Sequence, residues 1–463
     1  MKRVAIVGGG ITGLSAAFYL RKWGNVLDIP LEIKLYEASD RLGGKVQTVK
    51  QDGFTMERGA DSFLARKKPG MKLMEDLGLE DQLYRNKTGQ SYVLVHNQLH
   101  KIPAGSYMGI PIQEDALLAS EILSEEGKKR ALAEVSQPKG VPVSDQSLGQ
   151  FLRRRFGDEL VDHLLAPLLS GIYSSNVDDM SLMTSFPHFY EYEQKYGSII
   201  KGLREELPER RKGTGKKEGQ FVSVQGGLIT VIEALEKELS SSIQKYTAIQ
   251  KVTQENGVYT LYDNQDNTYN ADGVILAIPH RSVSGMFEQT EALTALETIP
   301  VTSVANVVLA FNKEAIEQAL DGTGFVVSRT SDVRITACTW THEKWPATTP
   351  EDKALLRVYV GRPDDQKIVT YSDQEIIEIV RKDLQKVMNI EADPEFSMVT
   401  RWQYLMPQYT VGHKEKISQV NQAIATEFPG VVLAGASYNG VGLPDCIADG
   451  TQAAADLLDY VKY

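Results

Sequence analysis

Gly8, Gly9 and Gly10, followed by Ile11, Thr12 and Gly13, form the stretch of this sequence best suited to binding an anion. Bare backbone at that spacing turns the chain sharply at Gly8, clears a side chain from the path of a pyrophosphate at Gly10, and lets a helix pack close to a strand at Gly13. The flanks fit. Val4-Ala5-Ile6-Val7 reads as a buried strand, and Ile11, Leu14, Ala17, Phe18 and Leu20 recur at helical spacing. The turn therefore aims unpaired helix N–H groups and a positive dipole end at a ligand. A second strand, Leu31 to Tyr36, ends at Glu37, where an acid can accept from a ribose 2′-hydroxyl. The unit predicts dinucleotide binding, and a carboxylate there disfavours the 2′-phosphate of NADP. NAD and FAD both satisfy it.

Two further passages carry similar chemistry. Ala38-Ser39-Asp40-Arg41-Leu42-Gly43-Gly44-Lys45 places basic residues around a glycine pair directly after the acid. Such a loop either runs along a pyrophosphate toward a redox ring or is a surface turn. Near the other end of the chain, Val431 to Ala434 reads as a short strand broken by Gly435 and Gly440, with Pro444 suited to the first turn of a helix reaching Leu458. The N–H groups of Val441, Gly442 and Leu443 would then face a flavin N1 and C2 carbonyl, or the passage is a glycine-capped helix and nothing more.

GGGITGL and EASDRLGG together resemble the FAD signature of the flavin amine oxidase superfamily. ERGADSFLARKKPGMKLMEDLGL, LLAPLLSGIYSSNVDDMS and YNGVGLPDCIADGTQAA resemble its porphyrinogen-oxidising branch, and the similarity covers essentially the whole chain. It is greatest to the soluble Gram-positive type that oxidises coproporphyrinogen III to coproporphyrin III. The resemblance implies FAD as cofactor, a porphyrinogen and molecular oxygen as reactants, and three two-electron rounds releasing hydrogen peroxide. It implies that Ala38, Arg41, Gly43, Gly44 and Lys45 join the glycine motif in holding FAD. Gly59, Ala60, Asp61 and Ser62 would pass beside the flavin, although Asp61 is also placed to cap the next turn. Val252 would lay its backbone on the adenine, and Trp402 belongs to the passage preceding the last FAD segment.

For the substrate, Lys67 is the expected propionate partner, with Arg66 and Lys68 as neighbours, and Ile172, Tyr173 and Tyr359 are candidate walls for the macrocycle. No catalytic base is nominated, because the flavin carries the hard chemistry. Protoporphyrinogen IX is the alternative substrate. An amine oxidase, a desaturase, an NAD-dependent dehydrogenase and a non-catalytic porphyrin carrier are the competing functions.

The elements that must position these residues follow from size and pattern. At 463 residues the chain exceeds one hydrophobic core. The expected fold is α/β and α+β: a discontinuous Rossmann-like FAD-binding domain, a mixed-sheet substrate domain and a small helical domain. The corresponding ranges are 1–67, 220–280 and 403–463 for FAD; 68–100, 184–219 and 281–402 for substrate; and 101–183 for the helices. Residues 201–220 read as a mobile loop, and the Arg153 to Arg155 run as a solvated helix face.

A net charge of −11 argues against nucleic acid. No apolar run approaches a membrane span, so at most a peripheral membrane contact is expected, together with transient contacts to neighbouring haem-pathway enzymes. Met1-Lys2-Arg3 runs straight into a strand, from which a cytoplasmic location is expected. Cys338 and Cys446 lack metal or disulfide spacing. His96 and His100 have a metal-like spacing but lie among strand residues, and no metal site is expected.

Overall fold

The apolar run Val4 to Val7 is the centre of a five-stranded parallel sheet in the computed structural model, which describes residues 1–207, 219–287, 291–316 and 321–462. The strand order is Ile243–Gln244, Leu31–Tyr36, Lys2–Val7, Gly273–Leu276, Val431–Leu433. Val7 pairs with Tyr36 on one side and Leu276 on the other, and Leu276 pairs with Leu433. Strands far apart in sequence thus end side by side, and the crevice beyond their carboxyl ends is where open parallel sheets bind ligands.

Helix Ile11–Val26 and helix Leu443–Val461 cover one face of the sheet, where Leu14, Ala17 and Leu20 share a core with Ala454, Leu457 and Leu458. The two helices touch closely: a Cβ on Gly450 would stand 2.2 Å from Thr12 O. The opposite face packs on a three-stranded antiparallel sheet, Ile249–Glu255, Val258–Asp263 and Thr268–Ala271, through Val252, Tyr259 and Leu261.

A second, seven-stranded sheet carries the strands Phe396–Pro407, Val301–Asn312, Lys353–Val360, Ile335–Trp340, Gly324–Val327, Tyr92–Val95 and Gln98–Lys101 in that order. Its neighbours are antiparallel except Gly324–Val327 beside Tyr92–Val95, so the sheet is mixed. Helix Asp373–Met388, opened by a Ser372–Glu375 capping box, seals this sheet with Ile376, Val380 and Leu384.

A third core is helical and includes Phe151, Leu152, Phe156, Leu164 and Phe189. Here the expected solvated arginine face is corrected. Arg155 is fully buried, with Glu134 and Glu193 as ion-pair partners, and Arg153 is held by Asp158, Asp162 and Asp178. A run of like charge looks solvated until distant acids neutralise it, and here they do. His96 and Asn97, both at positive φ, form the turn of a hairpin joining Tyr92–Val95 to Gln98–Lys101. Of the expected mobile loop, 208–218 lies outside the described residues. No described helix is long and apolar enough to cross a membrane.

Candidate functional site

The first glycine turn is built as its spacing requires. Gly8 has φ +107°, where a side chain would be strained, and gives its N–H to Tyr36 O at 2.8 Å. A Cβ on Gly13 would meet Gly8 O at 2.0 Å, whereas one on Gly10 would meet nothing within 4 Å. Gly10 therefore faces open space at the N-terminus of a 16-residue helix with no side-chain cap. The N–H groups of Ile11, Thr12 and Gly13 make no hydrogen bond to a described residue. Those are the orphan donors of a helix start, and they suit a phosphate.

Glu37 stands at the rim of this turn. Oε2 accepts from Gly9 N at 2.7 Å, and Oε1 accepts from Ser39 N and Oγ at 2.8 and 2.7 Å. A carboxylate has about four acceptor positions, so lone pairs remain for a hydroxyl. Thr247 N and Tyr246 N donate to Glu37 O and Ser39 O, which brings the 246–247 segment to the rim. Val252 lies in the next strand, its N–H given to Met286 O and its side chain buried with Val7 and Tyr36. Local spacing distinguishes those two segments poorly.

The Ala38–Lys45 loop returns to the turn, with Gly43 N donating to Gly9 O at 2.8 Å and a Cβ on Gly44 lying 3.2 Å from Gly10 Cα. Arg41 is committed to Gly44 O at 2.9 Å. Lys45 Nζ donates to Leu405 O at 3.1 Å, and burial pushes its ammonium down from the usual lysine range.

The late glycine passage meets the early one. A Cβ on Gly435 would lie 3.5 Å from Thr12 Oγ1, and Thr12 also touches Cys446, whose thiol burial pushes up to about 11. Asp449 accepts from Gly435 N at 2.5 Å, and Tyr409 Oη accepts from Gly440 N at 2.8 Å. The N–H groups of Val441, Gly442 and Leu443 make no hydrogen bond to a described residue and head the 19-residue helix that follows. Thr12, in the first turn of the early helix, thus lies against both the Gly435 turn and Gly450 of the late helix.

Gly59 to Ser62 run beside Lys45. A Cβ on Gly59 would collide with Lys45 O at 1.8 Å and touch the Trp402 ring at 3.5 Å. Trp402 Nε1 donates to Arg58 O at 3.1 Å. Asp61 caps no turn. Its Oδ2 accepts from Lys344 Nζ at 2.9 Å and Trp345 Nε1 at 3.2 Å, with Arg357 Nη1 at 3.1 Å. Burial alone would raise its carboxyl, but Lys344 and Arg357 outweigh that and hold it below the usual carboxylate range. The adjacent Glu57 is raised to about 7 because burial outweighs its bonds to Leu228 N and Thr48 Oγ1.

Lys67 lies beside the late helix. Its Nζ is 3.9 Å from where a Cβ on Gly442 would stand, and both Asp445 oxygens accept from it at 2.6 Å. Arg66 sits over the Tyr107 ring, 5.8 Å from its centroid. Ile172 is 44% exposed, an unusual state for isoleucine. Tyr173 packs edge-on to Phe186 and against Tyr409, and burial pushes its phenol up to about 12. Tyr359 lies over Arg357 in the seven-stranded sheet. Sequence reasoning missed Asp445, Lys344 and Arg357. For Arg357 a signal existed, a charge inside the apolar strand run ALLRVYV.

A family model described as flavin containing amine oxidoreductase matches residues 11–458. The chain is 48% identical over 463 residues to a coproporphyrinogen III oxidase of Bacillus subtilis, covering 99% of this chain and 98% of that protein. It is 41% identical to a coproporphyrinogen III oxidase of Staphylococcus aureus, over 99% of each. A crystal structure from Exiguobacterium sp. 255-15, provisionally described as a protoporphyrinogen oxidase, superposes with a TM-score of 0.89 at 38% identity, covering 100% of this chain and 99% of that one.

Proposed function

The chain belongs to the flavin-containing amine oxidoreductases, and from that premise we propose that it is an FAD-dependent coproporphyrinogen III oxidase. The observation that supports this reading is a pair of uncapped helix N-termini on two helices that touch at Thr12 and Gly450, with a lysine beside the second, 3.9 Å from the Gly442 Cβ position. The donor set fits FAD: orphan N–H groups for a pyrophosphate, an acid for a ribose, and a second set of N–H groups for a ring carbonyl. Bound FAD supplies the two-electron oxidation of a porphyrinogen methylene bridge, repeated three times, with oxygen as final acceptor and hydrogen peroxide as product.

The chain's own work is binding and orientation. Ile11, Thr12 and Gly13 hold the pyrophosphate, with Gly8, Gly9 and Gly10 giving it access. Glu37 holds the ribose, and Ala38, Arg41, Gly43, Gly44 and Lys45 close over the turn. Val252 supports the adenine side. Gly59, Ala60, Asp61, Ser62 and Trp402 border the ring on one side, and Gly435, Val441, Gly442 and Leu443 on the other. Lys67 fixes a substrate carboxylate, while Ile172, Tyr173 and Tyr359 flank the macrocycle and exclude water. We also propose the domain division 1–67, 220–280 and 403–463 for FAD; 68–100, 184–219 and 281–402 for substrate; and 101–183 for the helical part. The enzyme works in the cytoplasm, with at most peripheral membrane contact and transient contacts to enzymes of haem synthesis, and without nucleic acid.

The Exiguobacterium relative supports a second reading, protoporphyrinogen IX as substrate. Anaerobic mixing of the FAD-loaded protein with each porphyrinogen tests both. Coproporphyrinogen III is expected to bleach the flavin faster. Faster bleaching by protoporphyrinogen IX would favour the second reading, and bleaching by neither would defeat both.

A further inference from the structure

Successive carbonyls of the Glu57–Gly59 segment are all held by donors from the seven-stranded sheet. Asn306 Nδ2 donates to Glu57 O and Arg58 O at 3.3 and 3.1 Å, Trp402 Nε1 donates to Arg58 O at 3.1 Å, and Arg357 Nη2 donates to Gly59 O at 2.5 Å. A trans peptide is planar, with its N–H opposite its C=O. Holding Gly59 O against Arg357 therefore sends the Ala60 N–H the other way. Ala60 is exposed there, and its N–H makes no hydrogen bond to a described residue. The same peptide lies against Lys45 O and the Trp402 ring.

Arg357 is an unusual residue for a strand interior. It is fully buried, its Nε makes no hydrogen bond, its Nη1 stands 3.1 Å from Asp61 Oδ2, and it lines a small cavity with Glu57, Asp61, Tyr84 and Thr341. A buried ion pair is often no more stabilising than apolar side chains of the same volume. Packing alone would therefore be served by leucine or methionine. Neither could fix a carbonyl.

We propose that Arg357 is a positioning residue for the cofactor, turning the Gly59–Ala60 peptide so that the Ala60 N–H donates to an acceptor atom of the flavin ring. This rests on the FAD reading above. A donor at a ring acceptor favours the extra electron density that reduction brings. Losing it makes reduction harder.

The test is the flavin midpoint potential of the holoenzyme, with its visible spectrum and Tm as companions. Arg357→Gln is expected to weaken the reduction equilibrium about tenfold, which is about 30 mV more negative for a two-electron couple. Arg357→Lys, which keeps charge and a donor, should recover part of that shift. Because Arg357→Gln also removes a charge, Ala60→Pro carries the decision: at an exposed position it deletes the N–H and changes no side chain of the buried cluster. A potential lowered in Ala60→Pro to about the same extent supports the inference. A wild-type potential and spectrum in Ala60→Pro overturn it, whether or not Arg357→Gln folds. Wild-type protein that binds no FAD would instead defeat the cofactor reading itself.

Discussion

On the proposal that Lys67 holds a substrate carboxylate, Asp445 competes with the substrate for it. Both of its oxygens lie 2.6 Å from Lys67 Nζ, and the lysine and aspartate side chains are 36% and 33% exposed. Pairs this open to water are worth about 0.2–1 kcal/mol. A substrate carboxylate that engages Lys67 must displace that interaction, so Asp445→Asn should tighten binding by about 1.4- to 5-fold. Lys67→Ala removes a hydrogen bond to a charged group, worth about 1.5–3 kcal/mol, and should weaken binding roughly 10- to 150-fold. In the Lys67→Ala background, Asp445→Asn should give no such gain, because nothing is left to free. Asp445 also stands in the first turn of its helix, where an acid contributes about 0.3–1 kcal/mol, so a slightly lower Tm is expected alongside. The assay is fluorescence titration of the FAD-loaded protein with coproporphyrin III, a stable tetracarboxylate, at several ionic strengths. The gain should shrink as salt screens the pair. An Asp445→Asn variant that binds the porphyrin equally or more weakly would refute the competition argument.

Gly13→Ala would place a Cβ 2.0 Å from Gly8 O, a backbone atom that cannot move aside cheaply; overpacking of this kind costs about 1–3 kcal/mol or more. Loss of FAD retention, read from flavin absorbance after gel filtration, together with a lower Tm, is expected, and full retention would contradict it. Glu57, raised to about 7 by burial, holds its proton more tightly folded than unfolded. Its contribution is present below about pH 4.5 and is lost as pH rises toward 7, on the order of 3 kcal/mol in total. Glu57→Gln should flatten the fall in Tm across that window, which a pH series of melting curves measures.

How much of this was legible in the sequence depends on the separation over which each interaction acts. The Gly8–Gly13 turn and Glu37 were readable because strand, turn and helix fix one another locally. The late helix start was readable for the same reason, through Gly442 and Pro444. Lys67 was singled out from a basic run chiefly by resemblance, and its ion-pair partner Asp445, 378 residues away, was not visible locally. The Arg155 run failed as a local inference because Glu134 and Glu193, on other elements, neutralise it. For Asp61 a cap was the alternative to a place beside the flavin, because its neighbours in sequence are visible and its partners Lys344 and Arg357 are not.

The order of strands in the parallel sheet sets a timetable for assembly. Strand Gly273–Leu276 has Val431–Leu433 as its outer neighbour. While the intervening polypeptide is being synthesised, that edge stays open and only one of the two dipole-bearing helices exists. The second set of helix N–H donors is therefore completed only in the closing phase of synthesis, and a lesion that delays the Val431 region leaves behind an unlatched sheet edge prone to self-association.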